Sequence, residues 1–244
     1  MLPLERQNKI LEILDRRQAA TVEELCSELY TSGATNRRDL QILENNGLIR
    51  RTHGGAVHID ANARDFPLTL RENENLGAKE QVAQRAVAMI RDGQTLFMDP
   101  SSTVCLLARR LGGFQHLRVI TNGLKTATIL ADLGGVDVFG TGGHLRDNAK
   151  SFVGPQAMEF VQQFNADIAF ISCRGVDPEV GITDSDEQEA ALKRVFIRNA
   201  KRVILLCDSS KLGKRYFCKI GPLDAVDRVL TNGQLPPEYV RREL

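Results

Sequence analysis

The sequence predicts an α/β protein in two parts, a winged helix-turn-helix module followed by a larger domain with a mostly parallel sheet. Two short helical patterns around a tight turn precede a basic hairpin between residues 21 and 57. From residue 79 onward, strand-like and helix-like patterns alternate, which is typical of parallel sheets covered on both faces. The 244 residues are enough for two such domains.

The composition favours a cytoplasmic protein. The chain has 42% hydrophobic residues, 26% charged residues and a formal net charge of +1. Its apolar runs are shorter than the roughly 20 residues that cross a bilayer, and its charged N-terminus has no signal-peptide core. We therefore expect a cytoplasmic location and no membrane partner. The near-zero net charge leaves nucleic-acid binding open, because a local basic face is compatible with overall balance.

Cysteine and histidine spacing predicts neither a disulfide framework nor a metal site. The five cysteines form no CxxC pair, and the four histidines form no HxxxH or HExxH pair. We expect reduced thiols in a cytosolic protein, no metal and no cofactor.

The N-terminal module is predicted to contain three helices. An amphipathic helix opens the chain, with apolar residues at helical spacing. Thr21 is expected to cap the second helix, with Glu24 as its capping-box partner. Ser32 is expected to cap a third helix that stops at Gly47.

The third helix and the hairpin after it carry the candidate DNA contacts. The Gly54-Gly55 pair predicts the tight turn of a two-stranded wing. A polar, basic helix after a tight turn fits the major groove, where arginine binds guanine edges or phosphates. A basic pair alone is also typical of a solvated helix face, but its combination with the turn and hairpin favours DNA. The predicted contacts are Ser32, Thr35, Asn36, Arg37, Arg38, Gln41, Arg50, Arg51 and His53.

A connector is predicted between the two domains. Residues 59–78 have little apolar periodicity and several asparagines. This places the first domain at residues 1–58 and the second at residues 79–244.

Six strand-like segments alternate with helical segments in the second domain. The predicted strands are residues 95–99, 117–122, 136–143, 167–173, 202–208 and 226–232. Polar or glycine residues follow five of them, at the strand ends where open α/β sheets bind ligands. Amides and hydroxyls after the first strand would form a phosphate cradle. Each cluster also has an ordinary interpretation as a cap or turn, and Lys193 is equally consistent with a charged helix surface.

Motifs throughout the chain resemble one family. In the first domain they are S-G-A-T-N-R-R-D-L and L-I-R-R-T-H-G-G-A, and in the second D-P-S-S-T, V-I-T-N, G-T-G-G, D-I-A-F-I-S-C-R-G-V-D, G-I-T-D, E-A-A-L-K and D-S-S-K. Together they resemble the DeoR/GlpR family of bacterial sugar-catabolism repressors. Thr31 stands where the family usually has valine, Asn36 where it has isoleucine, and Gly33 weakens the first turn of the third helix.

The resemblance implies a second domain similar to ribose-5-phosphate isomerase, with roles in effector binding and oligomerisation. It implies a phosphorylated sugar or sugar derivative as effector. The implied effector-binding residues are Asp99, Ser101, Ser102, Thr103, Thr121, Asn122, Gly142, Gly143, Lys193 and Lys211. We add Arg174 as a hypothesis, for a second anionic or hydroxyl group of the ligand.

The expected function is a DNA-binding repressor of a carbohydrate-utilisation operon without catalytic residues. One recognition helix reads little sequence, so we expect a homodimer or tetramer on operator DNA. The alternative is a sugar-phosphate isomerase with a DNA-binding appendage, in which Asp184, Glu187, Glu189 and Lys193 offer acid–base groups. A dual activator and repressor is a third interpretation, since the sign of regulation depends on operator position.

Overall fold

The protein divides into two compact units, Met1–Glu74 and Asn75–Leu244. The computed structural model describes residues 1–58 and 67–239. Part of the predicted connector, residues 59–66, lies outside the described residues. Its remaining residues include a short helix in the N-terminal unit and the start of a longer one in the C-terminal unit.

The described residues of the N-terminal unit contain four helices: α1 (Pro3–Arg17), α2 (Val22–Leu29), α3 (Gly33–Asn45) and α4 (Leu68–Asn73). Both predicted caps are confirmed. The Glu24 amide donates to Thr21 Oγ1 at 3.2 Å, and the Thr35 amide donates to Ser32 Oγ at 3.2 Å. Gly47, with φ +67°, follows α3 and closes it, as predicted.

The core of this unit lies between α1, α2 and α3. Leu14, Leu25 and Leu43 are fully buried there, and Leu70 from α4 joins the same cluster. Burial of one such side chain contributes about 1.5–3 kcal/mol, so this small core depends on each of them.

A three-stranded antiparallel sheet completes the N-terminal unit. Its strands are β1 (Ala19–Thr21), β2 (Ile49–Thr52) and β3 (Gly55–His58), in the order β1-β3-β2. The predicted wing is therefore confirmed, with β1 added on its outer side. A Cβ on Gly55 would lie 2.1 Å from the Ala20 carbonyl oxygen, so the β1–β3 pairing requires glycine there.

Parallel strands form the central sheet of the C-terminal unit. The strands of this unit are β4 (Thr95–Met98), β5 (Leu117–Thr121), β6 (Val136–Gly140), β7 (His144–Arg146), β8 (Ser151–Val153), β9 (Ala166–Ile171), β10 (Gly175–Asp177), β11 (Gly181–Asp184), β12 (Ala200–Leu206), β13 (Cys218–Gly221) and β14 (Arg228–Leu230). Six of them pair in the order β14-β12-β9-β4-β5-β6, and every pair is parallel. All six correspond to predicted strands.

Helices cover both faces of this sheet, as the alternating pattern predicts. They are α5 (Leu76–Val87), α6 (Ser102–Ala108), α7 (Leu124–Ala131), α8 (Pro155–Gln162) and α9 (Glu187–Arg198). Successive residues of one strand enter opposite cores. Phe97 packs with Phe196 of α9 at a ring-centroid distance of 5.0 Å, whereas Met98 belongs to the cluster that contains Val82 of α5.

Two smaller β structures were not predicted. Strands β10, β11 and β13 form an antiparallel sheet, and β7 pairs with β8 in a hairpin. Both lie beyond strand ends of the parallel sheet, so they help to enclose its carboxyl edge. In the described part of the chain, no helix is long and apolar enough to cross a membrane.

Candidate functional site

The exposed face of α3 presents cations and amides. Arg37, Arg38 and Gln41 are exposed, while Leu40 and Leu43 on the opposite side are buried. Ser32 at the start of the helix is also exposed, and Thr35 is half-buried. This polar face has the composition that reads a DNA groove.

The wing is fastened to α3. The Arg51 amide donates to Glu44 Oε1 at 3.0 Å, and the Arg51 guanidinium donates to Gln41 Oε1. Arg50 and His53 remain exposed on the wing. These contacts hold the helix and the wing together as one basic surface.

Asn36 is a correction to the predicted DNA contacts. Its side chain is fully buried, with Oδ1 accepting from Thr31 Oγ1 at 3.0 Å and Nδ2 3.3 Å from Cys26 Sγ. It lies on the buried stripe with Leu40, four residues later in α3, which keeps it away from any DNA surface. Two of the positions that depart from the family pattern, 31 and 36, are therefore hydrogen-bonded to each other.

Asp39 is a second buried polar residue of α3, and sequence reasoning gave it no role. Its Oδ1 accepts from Arg6 Nη2 at 3.2 Å and from Gln7 Nε2 at 3.3 Å. Both donors belong to α1, so Asp39 fixes the orientation of α3 against that helix.

The carboxyl edge of the parallel sheet gathers the predicted effector residues. Asp99 follows β4 and is fully buried, and its two oxygens accept from the Ser101 amide at 2.9 Å and the Ser172 amide at 2.7 Å. Ser101 Oγ in turn accepts from the Val104 amide at 3.3 Å and caps α6. Asp99 thus shapes the loop that sequence reasoning assigned to phosphate.

Lys193 extends from α9 into the same edge. It is 6% exposed, its Nζ donates to Asp184 Oδ2 at 2.6 Å, and the same nitrogen lies 3.5 Å from Asp99 Oδ2. Burial opposes the charged ammonium, but attraction by Asp184, Asp99 and Glu189 outweighs it and raises the pKa of Lys193. The interpretation of Lys193 as a surface residue is therefore wrong.

Lys211 joins this network from the loop after β12. Its Nζ donates to Ser172 Oγ at 2.9 Å and lies 3.8 Å from Asp208 Oδ2. Ser172 also donates its amide hydrogen to Asp99, so Asp99, Ser172, Lys193 and Lys211 form one connected cluster. Sequence reasoning missed Ser172, although it directly precedes the Cys-Arg-Gly segment that ends the fourth predicted strand.

Polar atoms of two predicted residues, one shortly after β4 and one directly after β5, are buried without a hydrogen-bond partner among the described residues. They are Thr103 Oγ1 and Asn122 Oδ1, and both side chains are at most 1% exposed. The other end of the Asn122 amide donates to the Phe152 carbonyl at 3.1 Å, which fixes its orientation. Thr121 Oγ1 accepts from the Gly123 amide at 3.0 Å, so Thr121 supports the turn instead.

The glycines after β6 are exposed and need a left-handed backbone. Gly142 has φ +61° and Gly143 has φ +108°. A Cβ on Gly143 would lie 2.8 Å from the Val153 carbonyl oxygen. Bare backbone at this point allows close approach to the sheet edge.

A carboxylate that sequence reasoning assigned only to the enzyme alternative lies at the centre of a second network. Glu189 Oε1 accepts from Ser151 Oγ and from Arg146 Nη1, the latter at 3.2 Å. Arg146 also pairs with Asp186 at 3.0 Å, which ties the β7–β8 hairpin to the start of α9. Burial raises the pKa of Glu189, and its Oε2 has no hydrogen-bond partner within the described residues.

Arg174 is half-buried and lies in the short segment between β9 and β10. Its guanidinium carbon lies 5.8 Å from the centroid of the Tyr216 ring, within cation–π distance. Burial opposes ionisation of Asp184, but the ammonium of Lys193 and, to a lesser extent, the charge of Arg174 lower the pKa of that carboxyl.

Family models match both units. A DeoR-like helix-turn-helix domain matches residues 6–62, and a DeoR C-terminal sensor domain matches residues 74–233. The chain belongs to the DeoR family. The exposed residues of α3 and the wing lie in the first matched domain, and the buried clusters at the sheet edge lie in the second.

Curated relatives in the DeoR family are transcriptional regulators. The HTH-type transcriptional regulator GlpR of Haloferax volcanii is 37% identical over 96% of this chain and 92% of its own length. The glycerol-3-phosphate regulon repressor of Escherichia coli is 31% identical over 100% of this chain and 96% of its own length. This DeoR-family chain therefore matches whole regulators, not isolated domains.

One solved structure shares the fold at low sequence identity, and a second is similar over about half of the chain. The Pyrococcus horikoshii translation initiation factor eIF-2B has a TM-score of 0.51 and 14% identity, covering 94% of this chain and 88% of that one. A D-ribose-5-phosphate isomerase in complex with phospho-erythronic acid has a TM-score of 0.42 and 15% identity. The match covers 55% of this chain and 52% of the isomerase chain.

Proposed function

We propose that this DeoR-family regulator represses a carbohydrate-utilisation operon and is released by a phosphorylated sugar or a related metabolite. The observation that carries the proposal is the exposed basic face of α3, joined to the wing through Arg51. Arg37 and Arg38 are exposed on this face and make no ion pair among the described residues. The face is therefore suited to a polyanionic partner. The proposed contacts are Ser32, Thr35, Arg37, Arg38, Gln41, Arg50, Arg51 and His53.

The proposed effector site is the carboxyl edge of the parallel sheet. The unpartnered Thr103 Oγ1 and Asn122 Oδ1 are suited to hydroxyl groups of a ligand. Lys211 is half-buried, and among the described residues its ammonium contacts a serine and a more distant carboxylate. It is therefore the ammonium best placed for a phosphate. Ser101, Ser102, Gly142, Gly143, Lys193 and Arg174 complete the proposed set, with Asp99 and Thr121 as supports of its loops.

The proposed mechanism is linkage between effector and DNA. An effector that binds the DNA-competent and DNA-incompetent arrangements with different affinities shifts their populations, and DNA shifts effector affinity by the same factor. We propose a dimer or tetramer as the binding form, because repeated half-sites supply the sequence information that one helix lacks.

A gel-shift assay tests this proposal. The full chain is mixed with a duplex from the region upstream of its own gene, and a panel of sugar phosphates is then added. We expect a retarded band that one class of sugar phosphate abolishes. The Arg37→Ala, Arg38→Ala double variant should lose the band while keeping its circular dichroism spectrum, and normal binding by that variant would exclude α3 as the reading helix.

One observation favours the isomerase alternative. Glu189 is a buried carboxyl with a raised pKa. Its Oε2 has no hydrogen-bond partner among the described residues, and the ammonium of Lys193 interacts with it electrostatically. Such a pair has the character of acid–base groups in proton transfer between carbons. An aldose–ketose interconversion assay on the same sugar phosphates decides the matter, and we expect no turnover above that of a Glu189→Gln variant.

A further inference from the structure

Tyr30 lies in the turn between α2 and α3 and has an unusual combination of properties. Its side chain is 94% exposed. Its backbone has φ 52° and ψ 48°, a left-handed conformation, while its amide donates to the Cys26 carbonyl and caps α2. Glycine and asparagine are the residues that ordinarily occupy such a position.

The side chain of Tyr30 gains no stabilising polar or ring contact from the described part of the fold. Four other non-glycine residues have a positive φ among the described residues. Gln18, Asn75 and Lys150 each make a side-chain hydrogen bond within their own unit, whereas the exposed His116 makes none there. The phenol of Tyr30 has no hydrogen bond, ion pair or ring contact among the described residues. Unlike His116, Tyr30 combines this strain with a place in the turn that leads into α3, and this location points to a role outside the fold.

The position of Tyr30 suggests which partner it meets. Two residues later, Ser32 caps α3. At the same end of the helix, the Arg37 guanidinium folds back to 3.4 Å from the place where a Cβ on Gly33 would lie. The exposed Tyr30 and the exposed guanidinium of Arg37 thus both lie near the start of the helix that enters the groove in our proposal.

We propose that Tyr30 contacts DNA directly, with its hydroxyl donating to a phosphate at the edge of the groove that α3 enters. This rests on the function proposed above. Phosphate contacts from tyrosine fix the register of a recognition helix but carry no base information. Tyr30 is therefore a positioning contact that acts on operator and unrelated duplexes alike, whereas the α3 side chains discriminate between them.

The test compares three variants by fluorescence anisotropy on two duplexes. One duplex comes from the region upstream of the chain's own gene, and the other has a random sequence of equal length. Tyr30→Phe removes only the hydroxyl, Tyr30→Gly removes the ring and suits the left-handed backbone, and Thr69→Ala on the exposed side of α4 is the matched control. Thermal unfolding of each variant verifies the fold.

The expected result is a loss of about tenfold in affinity for both duplexes in Tyr30→Phe, the effect of one hydrogen bond to a charged group. Tyr30→Gly should lose at least as much affinity although its melting temperature is no lower than that of the parent, since the backbone strain is relieved. Thr69→Ala should bind as the parent does.

Three outcomes would overturn the inference. Parental affinity in both Tyr30 variants means that the residue meets a partner other than DNA. A loss in Tyr30→Gly alone means that the ring, not the hydroxyl, makes the contact. A loss confined to the upstream duplex means a base contact. Failure of the proposed function is distinguishable, because then the parent chain itself would bind neither duplex. Full binding by the Arg37→Ala, Arg38→Ala double variant would instead exclude α3 as the reading helix.

Discussion

The two polar regions of this protein differ in how their charges are held. On the N-terminal unit, Arg37 and Arg38 are exposed and carry no ion pair within the described residues. At the sheet edge of the C-terminal unit, Lys193 and Asp184 are buried against each other at 2.6 Å. The first region keeps its charges available, and the second holds them in fixed positions.

The difference follows from the size and charge of the partner each region is proposed to bind. A DNA groove brings its own dense charge, so exposed arginines suffice and their loss costs the fold little. A small ligand needs groups oriented in advance, and burying such groups requires that they stabilise one another. Mutations should therefore separate binding from stability in the first region and combine them in the second.

The largest expected effect is at Lys193. Replacement by methionine leaves the carboxylates of Asp184 and Asp99 buried without their ammonium, so the free energy of unfolding of the C-terminal unit should fall by about 3–5 kcal/mol. Urea denaturation measures this. Arg38→Ala is the matched variant on the exposed face and should change stability by less than about 0.5 kcal/mol. Equal losses of unfolding free energy in both variants would show that the buried and the exposed charges do not differ in their contribution to stability.

A smaller effect is expected at the buried pair between α2 and α3. Thr31→Val deprives the buried Asn36 Oδ1 of its donor and should cost about 1–3 kcal/mol. The double variant Thr31→Val, Asn36→Ile should recover most of that loss, because both polar groups are removed together. Chemical denaturation of the four species gives the coupling energy. Additive losses would mean that the two residues are not coupled.

Asp177 is an intermediate case between the buried Lys193 pair and the exposed arginines of α3, because its own side chain is buried while its partner Arg215 is half-exposed. A hydrogen bond from the half-exposed Arg215 lowers the pKa of Asp177 to about 2. The stability contributed by this lowered pKa is fully present above about pH 4, near the unfolded value, and is lost as the pH falls through about 2. Carboxyl NMR titration should find this midpoint and a higher one in Arg215→Gln. An unchanged midpoint in that variant would assign the shift to the backbone amides alone.

The smallest expected effect is at Gly33. Its φ is not in the left-handed region, and the nearest atom to an added Cβ is the flexible end of Arg37 at 3.4 Å. Gly33→Ala should therefore raise helix stability by about 0.5 kcal/mol, below the full interior value because the site is in the first turn. The melting temperature of the N-terminal unit measures it, and a decrease would show that the Arg37 position matters to the fold.

Much of the fold was predictable because its signals are local. The caps at Thr21 and Ser32 and the six parallel strands follow from neighbouring residues. Strands such as β1, β7 and β10 have only three residues each, which is too short for alternation to identify them. They form because a partner strand is close in space, which the sequence does not display.

The sites were predictable to a lesser degree. The rule that ligands bind at strand ends pointed to Asp99 and Lys211, since parallel strands share one carboxyl edge. Lys193, in the middle of α9, came only from the family resemblance. The rule missed Ser172 and the role of Arg146, whose partners come from distant segments. The error at Asn36 had an available signal, because its spacing of four residues from Leu40 placed it on the buried stripe of α3.

The pairing of β1 with β3 affects the order in which the N-terminal unit folds. Ala20 and Ala56 are opposite each other in the sheet, although α2, α3 and β2 separate them in the chain. Closing so long a loop has an entropic cost that local helical contacts avoid. We therefore expect the helices to assemble first and the wing to be the last part to acquire amide protection in pulse-labelled hydrogen exchange.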